Sequence, residues 1–264
     1  MRNNTPGTTT MPDRPATDAP GIIQADWPAA PRVRAVTTLR TGGVSAAPFD
    51  SLNLGDHVTD NPGKVRTNRA RLRAHLALPA EPLWLTQVHG TQVVNAAASM
   101  AGTQADGSFT RQAGVVCAVL TADCLPVFLC DRAATCVAVV HAGWRGLAAG
   151  VIEQGLAAMG APAREVLAWL GPTIGPQAFE VGDDVRQAFV AENSAAHSAF
   201  RANAAGHFLA DLYALARLRL AKAGVTSVHG GGYCTYGEGE RFFSYRRDGV
   251  TGRMASLIWL QPEG

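Results

Sequence analysis

The sequence lacks long apolar runs. No stretch approaches the about 18 consecutive apolar residues that a membrane-spanning helix requires, and no apolar run with a basic flank near the first residue marks a secretory signal. Charge imbalance is missing too. Lys and Arg total 23 against 21 Asp and Glu, a formal net charge of +2. Bulk charge therefore points to neither a nucleic acid nor a membrane surface as partner. Lysine is scarce and the cations are mostly arginine, which leaves room for local anion sites. Cysteine is sparse and odd in number, with five residues at 117, 124, 130, 136 and 234. That excludes a dense disulfide framework and predicts a reducing, cytoplasmic setting with thiols that are free, buried or metal-bound.

Common site signatures are absent as well. There is no G-x-G-x-x-G or G-x-x-x-x-G-K-[ST] phosphate loop, no G-x-S-x-G elbow and no H-x-E…P-C-x-x-C deaminase motif. The seven His include no H-x-H pair.

What is present is a chain of 264 residues, 47% hydrophobic and 17% charged, long enough for one sizeable core. Residues 1–31 are rich in Thr, Pro, Asp and Ala and read as a flexible extension that cannot offset its ordering entropy. Residues 32–262 read as a single catalytic domain. Apolar patterning predicts strands at 32–38, 83–88, 91–96, 115–120, 125–130, 136–141, 166–170, 225–229 and 254–260, and a sheet-like alternation at 241–247. Helical spacing marks 61–76, 145–159, 183–191 and 209–223. Strands and helices alternate without a regular βαβ period, which predicts an α/β protein: a mixed β-sheet sandwich with helices on both faces.

The stretch 121–146 concentrates the chemistry. Asp123 and Cys124 stand at the start of one apolar run, and His141 closes the next. A third candidate, His89, ends the run at 82–88. Strand ends are where α/β proteins build sites. Two imidazoles and one thiolate form a three-ligand set that leaves zinc an open position for water. The same residues admit a Cys–His arrangement for acyl transfer, with Cys124 as nucleophile and His89 or His141 as base. Cys117, Cys130 and Cys136 sit in or beside apolar strands and read as buried small hydrophobes. Residues 143–146 open a helix with Arg145 beside it, a reasonable anion site. For deamination, Asp123 is a candidate acid or base. Residues 229–232, His-Gly-Gly-Gly, match an esterase oxyanion loop only weakly without an elbow serine.

The motifs TTLRTGGVS (37–45), SLNLG (51–55), QVHG (87–90), TADC (121–124), HAGWRG (141–146), GPTIG (171–175), FFSYRRD (242–248) and TGR (251–253) resemble the YfiH-type family. That family was first described as laccase-like multicopper polyphenol oxidases and is now regarded as purine nucleoside phosphorylases with adenosine deaminase and methylthioadenosine phosphorylase activities. The resemblance covers roughly residues 32–260. It implies the cysteine-hydrolase class of α/β fold shared with cytotoxic necrotizing factor toxins. It also implies zinc held by His89, Cys124 and His141, which double as the catalytic set. Purine nucleoside and phosphate are the implied substrates. Arg40 and Arg145, with Ser45 in the loop of Arg40, are the candidate phosphate or ribose contacts. A His₂Cys site also takes copper in the test tube, because Cu(II) generally binds such donors more tightly than zinc. The alternatives are a copper-dependent polyphenol oxidase and a Cys–His amidohydrolase acting on cell-wall peptides.

Overall fold

The strand that follows Cys124 is buried along its whole length. Leu125–Asp131 (β6) and Val137–Ala142 (β7) pair antiparallel, with every residue of both buried. A run that is apolar at every position must be covered on both faces, and the computed structural model, which describes residues 19–262, shows how. β6 and β7 are the centre of a six-stranded sheet. Its order is Ser227–Gly230 (β12), Val166–Leu170 (β8), β6, β7, Gly107–Thr110 (β4) and Val93–Asn95 (β3). The β12–β8 and β3–β4 pairs are parallel and the rest antiparallel. A four-stranded antiparallel sheet holds Ile22–Gln24 (β1), Val33–Thr38 (β2), Met254–Leu260 (β13) and Val116–Thr121 (β5), in that order. A small third sheet joins Glu180–Val181 (β9), Phe200–Ala202 (β10) and Phe208–Ala210 (β11).

The period of two in the strands sorts side chains into layers. On β6, Phe128 and Cys130 meet Cys117, Val119 and Ile258 of the four-stranded sheet, forming the core between the sheets. Phe128 stacks on Trp169 there, with ring centroids 5.6 Å apart. Leu125, Val127 and Leu129 face the other way. They pack under Trp144–Ala149 (α2), Val151–Met159 (α3), Asp183–Val190 (α4) and Leu212–Lys222 (α5). On the far side, Val116, Ala118 and Leu120 of β5 pack with Leu52, Leu54 and Leu72. Leu72 belongs to Pro62–His75 (α1), which Asn61 caps by accepting from the Gly63 and Lys64 N–H groups, with Pro62 in the first turn. The molecule is thus mixed α/β, two main sheets face to face with helical layers outside. No helix among the described residues is long and apolar enough to cross a membrane.

Four expectations change. Residues 1–18 of the expected extension lie outside the described residues. Within its remainder, β1 adds an edge strand to β2, and Ala25, Trp27, Ala29 and Ala30 pack on the core between the sheets. The helix expected at 145–159 is two helices, because Gly150 sits at φ +95° and ends the first. Residues 83–88 are extended but form only isolated bridges, Leu83 to Cys117 and Thr86 to Gln104. Residues 241–247 form no strand. Phe242 and Phe243 are both buried, and Ser244 caps the short helix Tyr245–Asp248 (α6).

Candidate metal centre

Cys124 and His141 meet because β6 and β7 pair in register, Pro126 opposite His141 and Leu125 opposite Ala142. Cys124 immediately precedes β6, and His141 is the penultimate residue of β7. His89 arrives from elsewhere. The Gln87 side chain clips its segment to β5, donating to the Leu120 carbonyl at 2.8 Å and accepting from the Leu120 N–H at 2.7 Å. An amide used this way replaces the strand ladder that the segment lacks.

Asp106 then aims both imidazoles. Its carboxylate is fully buried. It accepts from the backbone N–H groups of Val88 (3.2 Å), His89 (2.9 Å) and Gly90 (2.6 Å), and bonds His141 Nδ1 at 2.8 Å. His89 is held at φ +59°, a left-handed conformation unusual for a residue with a side chain. The bond to Nδ1 directs the His141 proton toward Asp106 and leaves Nε2 as the free ligand. The carboxylate stays below its ordinary pKa: burial alone would raise it, but the His141 bond and the backbone donors prevail.

One donor atom from each of His89, Cys124 and His141 lies within 4.8 Å of the other two. Cys124 Sγ is 3.9 Å from His89 Nε2, and the two imidazole centroids are 4.8 Å apart. Gly143 makes the approach possible, since a Cβ there would come within 2.9 Å of His89 Cδ2 and 3.0 Å of Cys124 Sγ. This donor set suits zinc or copper: soft thiolate, two imidazoles, and a buried carboxylate behind one of them. Burial would raise the Cys124 thiol, but the His141 charge and hydrogen bonds from both imidazoles bring it down to about 6. Burial would lower His141, but the Cys124 charge and Asp106 carry it up to about 9. The pair is therefore a thiolate facing an imidazolium, whose Nε2 proton would leave to solvent when a cation takes that nitrogen as ligand. Cys117, Cys130 and Cys136 are pushed by burial to about 12, 12 and 11, the values of inert thiols.

The cluster lies on the wall of a cavity of about 480 Å³, within the range of about 300–1,000 Å³ for small-molecule sites. Two arginines that the sequence did not single out also line it, Arg246 and Arg253. Arg246 stacks over Phe179 and donates to the Glu180 carbonyl. Tyr245, 61% exposed, stands at the same cavity. Asp123 lines it as well, its carboxylate accepting from the Thr235 hydroxyl (2.5 Å) and the Arg246 N–H (2.7 Å).

The other expected contacts lie elsewhere. Arg40 lines a separate depression with Asp50 and Glu240, where it donates to the Asp50 and Gly239 carbonyls. Ser45 is buried, donating to Asp60 at 2.6 Å and accepting from Asn68 at 2.9 Å, so it anchors its loop to α1. Arg145 is exposed and stacks on Trp144, 4.3 Å from the ring centroid. None of the three is among the cavity's lining residues. Gly230 ends β12, the glycines at 230–232 are all at positive φ, and His229 bonds Ser227.

The sequence matches the profile of a family described as multi-copper polyphenol oxidoreductase laccase over residues 34–261. It is 57% identical to a purine nucleoside phosphorylase of Pseudomonas aeruginosa over 240 residues, covering 90% of this chain and 98% of the relative. The purine nucleoside phosphorylase YfiH of Escherichia coli is 53% identical with the same coverage. Among solved structures, a Neisseria meningitidis protein superposes with a TM-score of 0.89 at 54% identity, covering 92% of this chain and all (100%) of that one.

Proposed function

The chain belongs to the YfiH-type family described as multi-copper polyphenol oxidoreductase laccases, and on that premise we propose that it is a purine nucleoside phosphorylase. The observation that carries this reading is relatives of that name at 53–57% identity over nearly their whole length. In the reaction, a phosphate oxygen bonds to C1′ of the ribose as the C1′–N9 bond breaks. The electron pair leaves with the purine, which takes up a proton, and ribose 1-phosphate remains, or 5-methylthioribose 1-phosphate from methylthioadenosine. Adenosine, inosine, guanosine and methylthioadenosine are the proposed nucleosides, and deamination of adenosine to inosine is a proposed second activity of the same cavity.

His89, Cys124 and His141 would hold zinc. When bound, the metal supplies Lewis acidity and activates water near neutral pH. The protein's own part is positional. Asp106 fixes the His141 tautomer and the loop of His89. The exposed Tyr245 offers a ring on which a purine can stack. Among the described residues a single His/Cys/carboxylate cluster could take a metal, and a blue-copper oxidase needs several copper centres. This favours phosphorolysis over the oxidase chemistry in the family description.

A second reading has one observation in its favour. Asp106, His141 and Cys124 stand in the order of a carboxylate–imidazole–thiolate relay, so the metal-free protein would be a Cys–His amidohydrolase. Metal-replete protein is to be incubated with adenosine, with and without phosphate, following adenine, inosine, hypoxanthine and ribose 1-phosphate. Phosphate-dependent ribose 1-phosphate supports phosphorolysis, and inosine without phosphate supports deamination. Formation of none of them removes the reading. Peptide hydrolysis that survives a chelator and is lost on alkylation would replace it with the second.

A further inference from the structure

Two of the motifs without a role at the metal cluster are SLNLG at 51–55 and TGR at 251–253. The fold brings them together around one side chain. Asn53 Oδ1 accepts from the Arg253 N–H at 2.9 Å. Gly55 leaves passage for the same residue, since a Cβ there would lie 2.8 Å from Arg253 Cγ. Gly252 packs so tightly on Phe243 that a Cβ would meet the ring at 2.7 Å. Arg253 Nη1 is then pinned by the Thr251 (2.9 Å) and Gly252 (3.0 Å) carbonyls.

What this effort positions is a half-buried guanidinium with no carboxylate partner. Arg253 forms no ion pair among the described residues, and its Nε and Nη2 carry no protein acceptor. The charges of Cys124 and Asp123 act on it across the cavity, but neither group hydrogen-bonds it, and a desolvated guanidinium with unfilled donors costs free energy, so the free edge of Arg253 marks a place where a ligand brings the acceptors. The acids at the cavity are already engaged. Asp123 is taken by Thr235 and the Arg246 N–H, and Asp56 pairs with Arg69 at 3.2 Å. Arg246 lines the same cavity with one nitrogen anchored to Glu180 and its plane backed by Phe179. A planar fork fixed at one end and open at the other suits a tetrahedral oxyanion.

We propose that Arg253, supported by Arg246, is the subsite for inorganic phosphate, beside the His89–Cys124–His141 cluster. The assignment rests on the phosphorylase reading for the identity of the anion, and it replaces Arg40 and Arg145, which lie outside the cavity. Zinc-loaded full-length protein is titrated with inorganic phosphate by calorimetry, and the steady-state KM values for phosphate and nucleoside are measured separately. Arg253→Gln is expected to weaken phosphate binding by about 10- to 100-fold, the loss of charge-assisted hydrogen bonds, while the nucleoside KM stays within about twofold. Arg253→Lys recovers part of the loss, and Arg73→Gln, exposed on α1, leaves both constants unchanged. Binding that persists in Cys124→Ala but falls with Arg253→Gln assigns the anion to the arginine rather than to the metal. Phosphate binding that depends on Arg253 without any turnover upholds the subsite and removes the phosphorylase reading. Wild-type phosphate affinity in Arg253→Gln, or an equal rise in both KM values, overturns the subsite.

Discussion

At the scale of single residues, Asp106 meets the most exacting demand: one carboxylate receives three backbone N–H groups and one imidazole. Asparagine offers one oxygen and one NH₂, so it would turn a donor toward either the loop amides or His141. If it faces His141, the tautomer reverses and Nε2 carries the proton. Asp106→Asn is expected to lose about 10- to 100-fold in metal affinity by chelator competition, with its circular dichroism unchanged. Undiminished affinity would remove the positioning role. Cys124 carries a second expectation, for metal-stripped protein. Its thiol is held at about 6, so iodoacetamide alkylation should rise through pH 6 and level off near neutrality. Below that pH the sulfur is protonated and slow. An ordinary thiol, with its pKa near 9.0, would keep accelerating to alkaline pH, which peptide mapping of the alkylated site would reveal. His89, Cys124 and His141 were legible in sequence because each stands at one end of an apolar run. Asp106 was not, because in sequence it is a carboxylate in a polar turn. Its burial comes from the β4–β7 pairing and from the loop that folds over it. Arg246 and Arg253 escaped for a related reason: the direction of a long side chain is set by contacts distant in sequence.

At the scale of elements, the β6–β7 pair delivers two of the three donors and Gly143 spaces them. Gly143→Ala places a methyl between His89 and Cys124, while α2 keeps an acceptable residue at its start. The expected result is lost or greatly weakened zinc binding, measured by elemental analysis, with a cooperative unfolding transition preserved. Full zinc occupancy would show that the cluster can open by several tenths of an ångström without cost. The central strands were readable because burial on both faces forces uninterrupted apolar runs, as in β5 and β6. The period of two failed at 241–247. There, two adjacent phenylalanines are buried together by a turn, which period-two reading cannot distinguish from a strand. The helical period likewise misled at 145–159, where it continues through Gly150 although the backbone does not.

At the scale of the whole molecule, the cluster ties the two main sheets together. His89 is fastened to β5 through Gln87, whereas Cys124 leads into β6 and His141 belongs to β7. A ligand that bridges them binds the folded state alone and adds about 2.7 kcal/mol when present at 100 times its Kd. Metal removal is therefore expected to lower Tm in scanning calorimetry, with readdition restoring it. A Tm indifferent to metal would mean that the donors are not engaged in the native protein. The layered α/β order was legible from the alternation of strand and helix signals. The partition into two facing sheets was not, since which strands pair depends on register and not on local pattern.

The claim on which the rest depends is that His89, Cys124 and His141 jointly hold a metal. Elemental analysis of protein as isolated, beside Cys124→Ser prepared in the same way, tests it most directly. The expected result is zinc near one equivalent per chain in the wild type and a small fraction of that in the variant. Equal metal in both proteins, or none in the wild type even after zinc is added and excess removed, would contradict it.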